Sequence, residues 1–342
     1  MDKNLTVQKK DLTLLKTRKM MHITNRVLKT SASQTIKTYD GWIEKLFKWA
    51  DFNMISEHII PRERDELLNI DILNLSNQHL ESIPKEIGNL KNLTTLILNN
   101  NRFKTIPKEI GQLRKLKVIY LNKNLLESIP IEISNLINLE ELDLYQNRLK
   151  EIPSEIGALK NLTLLKLSTN RLTTIPKEIG NLKKLNSLKL SNNQLKIIPA
   201  EIWSLTNLTK LNLLDNQIEE ISPNIGNFSK LIRLKLWGNQ LKSIPKEIGN
   251  LTQLKELFLH NNRLESIPKE IGNLVNLHRL HLQNNKLKEI PQELENLNRL
   301  SILKIFNNRL KNNNHQKLLN KVAYNSKAIL LINQKRWKSD EV

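Results

Sequence analysis

The sequence predicts an α/β solenoid, with a parallel sheet on its concave side and short helices or turns on its convex side. Three observations carry that prediction. A 23-residue frame recurs with its first apolar position at Ile70, Leu93, Leu116, Leu139, Leu162, Leu185, Leu208, Leu231, Leu254, Leu277 and Leu300, eleven units without insertion or deletion. Inside each unit, leucines two apart alternate with variable residues, the period of a strand with one buried face. Ten of the eleven prolines occupy the same part of the frame.

The unit starting at Leu93 reads L-x-x-L-x-L-x-x-N-x-F-x-x-I-P-x-E-I-G-x-L. Leu96 and Leu98 alternate with Thr95, Ile97 and Asn99, so the leucines face inward and the others outward. After a turn at Asn100 and Asn101, Ile106-Pro107 carries the chain onto the convex side, where a proline suits the first turn of a short helix. Glu109 then stands where a carboxylate favours a helix N-terminus, and its repeated counterparts are structural or solvated rather than paired catalytic acids. One unit cannot bury its own leucines, so units must stack and the end leucines need caps. Eleven strands spaced by roughly 4.8 Å make a sheet on the order of 50 Å long.

This pattern resembles the leucine-rich repeat family, in its short 23-residue type with an I-P-x-E-I-G segment, found in bacterial repeat proteins and in eukaryotic Ras-group repeat proteins. The resemblance spans about 66–312. It implies a right-handed horseshoe in which Asn101 and its counterparts, from Asn124 to Asn308, lie inside the solenoid and bond the backbone of successive turns. It says much about fold and little about function.

In chain order, residues 1–38 form a basic extension, flexible or partly helical, with an amphipathic surface helix or a targeting segment as the other reading. Residues 39–65 form a helical N-terminal cap. Asp40 is placed as N-cap, and Trp42, Ile43, Leu46, Phe47, Trp49 and Ala50 give one apolar face. A partner-binding helix is the alternative there. The eleven units occupy 66–312. Residues 313–342 form a C-terminal cap, with a short helix around Leu318–Ala323 and a covering apolar segment at Ala328–Ile332, followed by a basic tail. Three departures stand out: Gln78 at the first ladder position, Ser222-Pro223 with its proline one place late, and Trp203 in place of the convex glycine, either exposed or tucked against a neighbour.

Composition excludes several classes. With no cysteine there is no disulfide, thiolate metal site or cysteine nucleophile, and hence no cysteine-dependent ligase domain of the kind some bacterial members of the family carry. No apolar run approaches a membrane span, and the N-terminus lacks the apolar core of a secretory signal. That points to a cytoplasmic protein, or to one exported without a classical signal. A net charge of +20 first suggests nucleic acid, but the excess is densest at the two ends, and the repeats carry both signs. No phosphate loop, dinucleotide fingerprint, nucleophile elbow or zinc-protease motif occurs, so neither enzyme activity nor a cofactor is expected. A metal site is also rejected. His278 and His281 stand three apart on one strand and face opposite sides, and no carboxylate or cysteine completes a set with His260.

The informative residues are therefore the outward-facing strand positions. Trp237, Phe258 and Phe306 place aromatic surface in solvent, interleaved with Arg233, Lys235, His260, Arg279 and His281, and Tyr120 with Tyr145 form a smaller early pair. Aromatics beside arginine have the composition of binding hot spots, although concave aromatics also shield their neighbours. The expected function is a monomeric, non-enzymatic scaffold that binds a protein, in signalling or host interaction. The alternative is a binder of RNA or acidic membrane acting through the basic ends.

Overall fold

The computed structural model describes residues 40–310, 317–322 and 329–331. Its strands, β1 (Ile72–Asn74) through β11 (Ile302–Lys304) and then β12 (Ile329–Leu331), form one open sheet in chain order. All neighbours run parallel, and from β1 to β11 each residue pairs with the one 23 positions on, as Leu96 does with Ile119 and Ile119 with Leu142. The period thus becomes a set of rows across the sheet.

The register extends past the strand ends because of the asparagines. Asn124 donates Nδ2 to the carbonyls of Leu98 and Leu121, both at 3.0 Å, and its Oδ1 accepts from Phe103 N at 3.2 Å. The same set recurs from Asn101 to Asn308. An amide satisfied on both sides is cheap to bury, and one left unpaired would not be. The first unit bears Gln78 at this position, and there it is the Gln78 backbone N–H that donates to Asn101 Oδ1. Under the ladder the leucines, isoleucines and Phe103 and Phe228 form one continuous core of almost fully buried side chains.

Each convex segment is a five-residue 3₁₀ helix, such as Lys108–Gln112. Proline sits one place earlier than its helix-starting role suggests: Pro107 and its counterparts are the N-cap residue, with extended backbone and no side-chain cap bond. The exception explains the Ser222-Pro223 departure. Ser222 takes the N-cap position and accepts from Asn224 N at 3.2 Å, while Pro223 occupies the first helical position. The convex glycine answers to a close approach, since a Cβ on Gly111 would lie 2.3 Å from the Glu132 carbonyl oxygen of the next unit.

Trp203, which replaces that glycine, is tucked in. It is buried, with its ring 5.6 Å from Phe228. It finds room because the sixth and seventh convex helices (Ala200–Ser204 and Pro223–Asn227) pack less closely than any other consecutive pair, while β6 (Ser187–Lys189) and β7 (Lys210–Asn212) remain paired in full register.

Before the repeats, α1 (Gly41–Phe52) buries Ile43, Leu46 and Ala50 against the exposed end of the core, with Trp42, Phe47 and Trp49 half covered. Asp40 does not cap through its side chain; the carboxylate instead pairs with Arg64 at 3.2 Å. Arg62 holds the segment together by bonding Asp51 at 2.7 Å and the Ile55 carbonyl, with its guanidinium 5.3 Å over Phe47. A second short helix, α2 (Arg64–Asn69), precedes β1 and carries the cap past residue 65.

At the other end, helical residues 317–322 bury Leu319 and Val322. The expected covering segment is a twelfth strand, Ile329–Leu331, which extends the sheet beyond β11. The basic ends at 1–38 and 334–342 lie outside the described residues.

Candidate protein-binding face

Parallel register brings the outward-facing residues of β8 (Arg233–Lys235), β9 (Glu256–Phe258), β10 (Arg279–His281) and β11 into three rows. The first runs Arg233, Glu256, Arg279. The second runs Lys235, Phe258, His281, Lys304. The third, two residues further along each chain, runs Trp237, His260, Gln283, Phe306.

The first row is an ion-pair bridge. Glu256 is buried and accepts from Arg233 on one side and from Arg279 on the other, the latter at 2.8 Å. Burial pushes its carboxyl up, but the Arg233 hydrogen bond, with the charges of Arg233, Arg279 and Lys235, outweighs that and holds it below the ordinary carboxylate value. Such a bridge orients two arginines more than it stabilises the fold.

The second and third rows form an aromatic cluster. Trp237 and His260 stack at 5.0 Å with planes 16° apart, and Phe258 meets His281 edge-on at 4.8 Å. The two imidazoles lie 5.6 Å apart, and Lys235 Nζ sits 5.6 Å from the Phe258 ring centre. Burial, with the charge of Lys304 second, depresses both histidines to about 4, so both are neutral at pH 7. Their neutral rings keep bonding capacity unused: His260 Nδ1, His281 Nε2 and Gln283 Oε1 are all buried without a hydrogen-bond partner. Three orphaned polar atoms on two adjacent strands are unusual for a folded domain, where such groups are nearly always paired. His278 bonds the Asn276 carbonyl at 2.8 Å instead, and among the described residues no three potential metal ligands gather.

The early tyrosines belong to a separate region. Tyr120 donates to Glu141 at 2.9 Å, and neighbouring Asp143 binds Lys166 at 2.7 Å. Tyr145 is exposed on β4 (Glu141–Asp143) side of the sheet, four strands from Trp237, a separation of roughly 20 Å. The structure therefore brings Arg233, Lys235, Trp237, Phe258, His260, Arg279 and His281 together, continues the third row to Phe306, and leaves Tyr120 and Tyr145 apart. Sequence reasoning passed over Glu256, Gln283 and Lys304 as site members. The Arg-Glu-Arg alternation at 23-residue spacing was a usable signal for Glu256. Nothing in the sequence marked Gln283 as buried.

The arrangement holds no nucleophile beside a base. What it offers is apolar and aromatic surface, two oriented arginines, and donors and acceptors still to be matched. Among the described residues no helix is long and apolar enough to cross a membrane.

Comparison with known proteins agrees with this geometry. The family model described as a leucine-rich repeat region matches residues 54–168, 120–214, 153–259 and 200–329. No curated protein matches the sequence significantly. A leucine-rich repeat protein of Leptospira interrogans is 32% identical, covering 81% of this chain and 86% of that one, with a TM-score of 0.55. The Arabidopsis receptor kinase HAESA, solved with the peptide hormone IDA and a co-receptor, is 34% identical with a TM-score of 0.64, covering 71% of this chain. Only 42% of that receptor chain is covered, so this protein spans less than half its length. An internalin of Listeria monocytogenes shares the fold at 24% identity, with a TM-score of 0.66 and coverage of 88% of this chain and 95% of its own. On the repeat register, the internal asparagine ladder and the family match together, the chain belongs to the leucine-rich repeat family.

Proposed function

We propose that this protein is a non-enzymatic scaffold that binds a protein partner on the concave strands β8–β11, in signalling or in interaction with a host. The observation that carries this reading is the cluster of His260 Nδ1, His281 Nε2 and Gln283 Oε1, buried and unpartnered beside the Trp237–His260 stack. A partner supplying the missing bonds while covering the aromatic rings would gain from both. Buried anchors ringed by polar groups are where binding energy concentrates. The complex of HAESA with a peptide hormone supports the reading as a precedent in a similar solenoid.

The test is affinity capture with the intact chain and with a variant carrying W237A, F258A and R279A. The variant is expected to lose the captured protein while its circular dichroism spectrum stays unchanged. Undiminished capture would place the partner elsewhere.

A further inference from the structure

The strands just before this cluster carry a staggered file of lysines: Lys189 and Lys235 share one row with Asn212 between them, and Lys210 stands in the neighbouring row beside Arg233. Lys166 is neutralised by Asp143 at 2.7 Å. Beyond it, Lys189 on β6 (Ser187–Lys189), Lys210 on β7 (Lys210–Asn212) and Lys235 on β8 have no carboxylate within ion-pair distance among the described residues. They also crowd one another. Lys189 is half-buried, and its ammonium is held below the ordinary lysine value by that burial and by the charges of Lys166, Lys210 and Lys235, against a partial offset from Asp143. A fold that gathers like charges on adjacent strands without a direct ion pair loses stability there, and a ligand placing the opposite charge against them recovers it.

We propose that this file binds an acidic extended segment of the protein partner, whose carboxylates lie over Lys189, Lys210 and Lys235 and whose next apolar side chain enters the Trp237–Phe258 cluster. This rests on the concave-face reading above and names the chemistry of its ligand. From Lys189 to Lys235 is two strand steps, roughly 10 Å, which an extended peptide crossing the strands covers in about three residues. The aromatic stack begins where the lysine file ends, so acidic positions followed by an apolar one match both zones in a single short segment. The surroundings favour a peptide over a polyphosphate. Asp143 and Glu141 flank the file on one side and Glu256 on the other, so a uniformly charged strand would meet carboxylates at both ends.

The test is fluorescence anisotropy on the full chain with a labelled synthetic peptide in which two glutamates precede a phenylalanine by this spacing. The same peptide with glutamines and a uridine RNA of equal length serve as competitors. We expect the glutamate peptide to bind at least about tenfold tighter than its glutamine form, to weaken with added salt, and to lose about tenfold in K189Q/K210Q but little in K189R/K210R. Equal binding of the glutamine form, or indifference to K189Q/K210Q with the spectrum unchanged, overturns the proposal. Tighter RNA binding that depends on the same lysines overturns it in favour of a polyanion. If the peptide fails while partner capture still depends on Trp237, Phe258 and Arg279, the scaffold reading stands and this inference alone falls.

Discussion

The two polar stretches of the concave face are built from similar residue types and end in opposite conditions. On strands β3 (Val118–Tyr120) to β6, Tyr120 is bonded to Glu141, Asp143 to Lys166, and Ser191 to Ser168 at 2.7 Å. On β8 to β10 the arginines are matched by Glu256, but His260, His281 and Gln283 keep polar atoms without partners. In the first stretch Tyr120, Glu141, Asp143, Lys166, Ser168 and Ser191 satisfy one another, and the exceptions, Ser187 Oγ and Lys189, stand on its last strand. The second is complete only with something added. Identical scaffolding beneath both shows that the difference belongs to the side chains, not to the backbone carrying them.

That claim about scaffolding can be broken first, because the expected effect is largest. Removing a ladder amide strands a backbone N–H and two carbonyls, at a cost of roughly 3 kcal/mol. Asn147→Ala under the early stretch and Asn262→Ala under the late one should lower denaturant stability by similar amounts. Markedly unequal losses would show that the backbone does differ between them.

Binding should separate the stretches next. Tyr120→Phe with Tyr145→Ala should change partner affinity by less than about threefold, whereas Trp237→Ala with Phe258→Ala should cost on the order of a hundredfold, the scale of a hot-spot pair. Comparable losses from the two double variants, measured by titration with the captured partner, would dissolve the distinction.

Within the late stretch, Glu256→Gln leaves Arg233 and Arg279 facing each other without their shared acceptor. The arginines are about half exposed, so solvent screens much of the penalty. A loss of about 1–2 kcal/mol by thermal denaturation is expected, larger than for Asp143→Asn.

Acid should act on the late stretch selectively. His260 and His281 are depressed to about 4 in the fold against about 6.5 for an ordinary histidine, so between these values the unfolded chain binds more protons. Their contribution is present in full above pH 6.5 and is lost as pH falls toward 4. After allowance for solvent screening the loss is on the order of 1 kcal/mol per histidine. A variant with H260N and H281N should flatten that part of the stability profile, and an unchanged profile would contradict the stated burial effect.

The smallest effect carries the opposite sign. Gln283→Met removes a buried acceptor with no partner and should stabilise the free protein by about 0.5–1 kcal/mol while weakening capture. Stabilisation without loss of binding would mean that Gln283 does not meet the partner.

Much of this architecture was legible in the residues, since a strict 23-residue frame converts directly into strand register and ladder position. The misses share a cause. Trp203 could not be placed because it packs on Phe228 of the next unit, where the two convex helices stand apart, a contact between units that no single unit displays. The strand at Ile329–Leu331 follows a stretch where the frame has lapsed, so only sheet pairing reveals it. At the site, Trp237 and Phe258 were visible as aromatics on outward-facing strand positions, although the structure half-buries both where exposure was expected. The neutrality of His260 and His281 was not, because it follows from packing between three strands and a lysine, Lys304, on a fourth.

The convex glycines have a consequence for how such a chain can change over generations. Wherever a glycine touches the backbone of the following glutamate-bearing turn, duplicating or losing one unit rejoins equivalent partners, and the array is indifferent to the edit. The junction of Trp203 with Phe228 is different. A recombination event there would press an indole against a turn spaced for hydrogen. Moving the sixth unit without the seventh would therefore disturb packing in a way that moving a glycine-bearing unit would not.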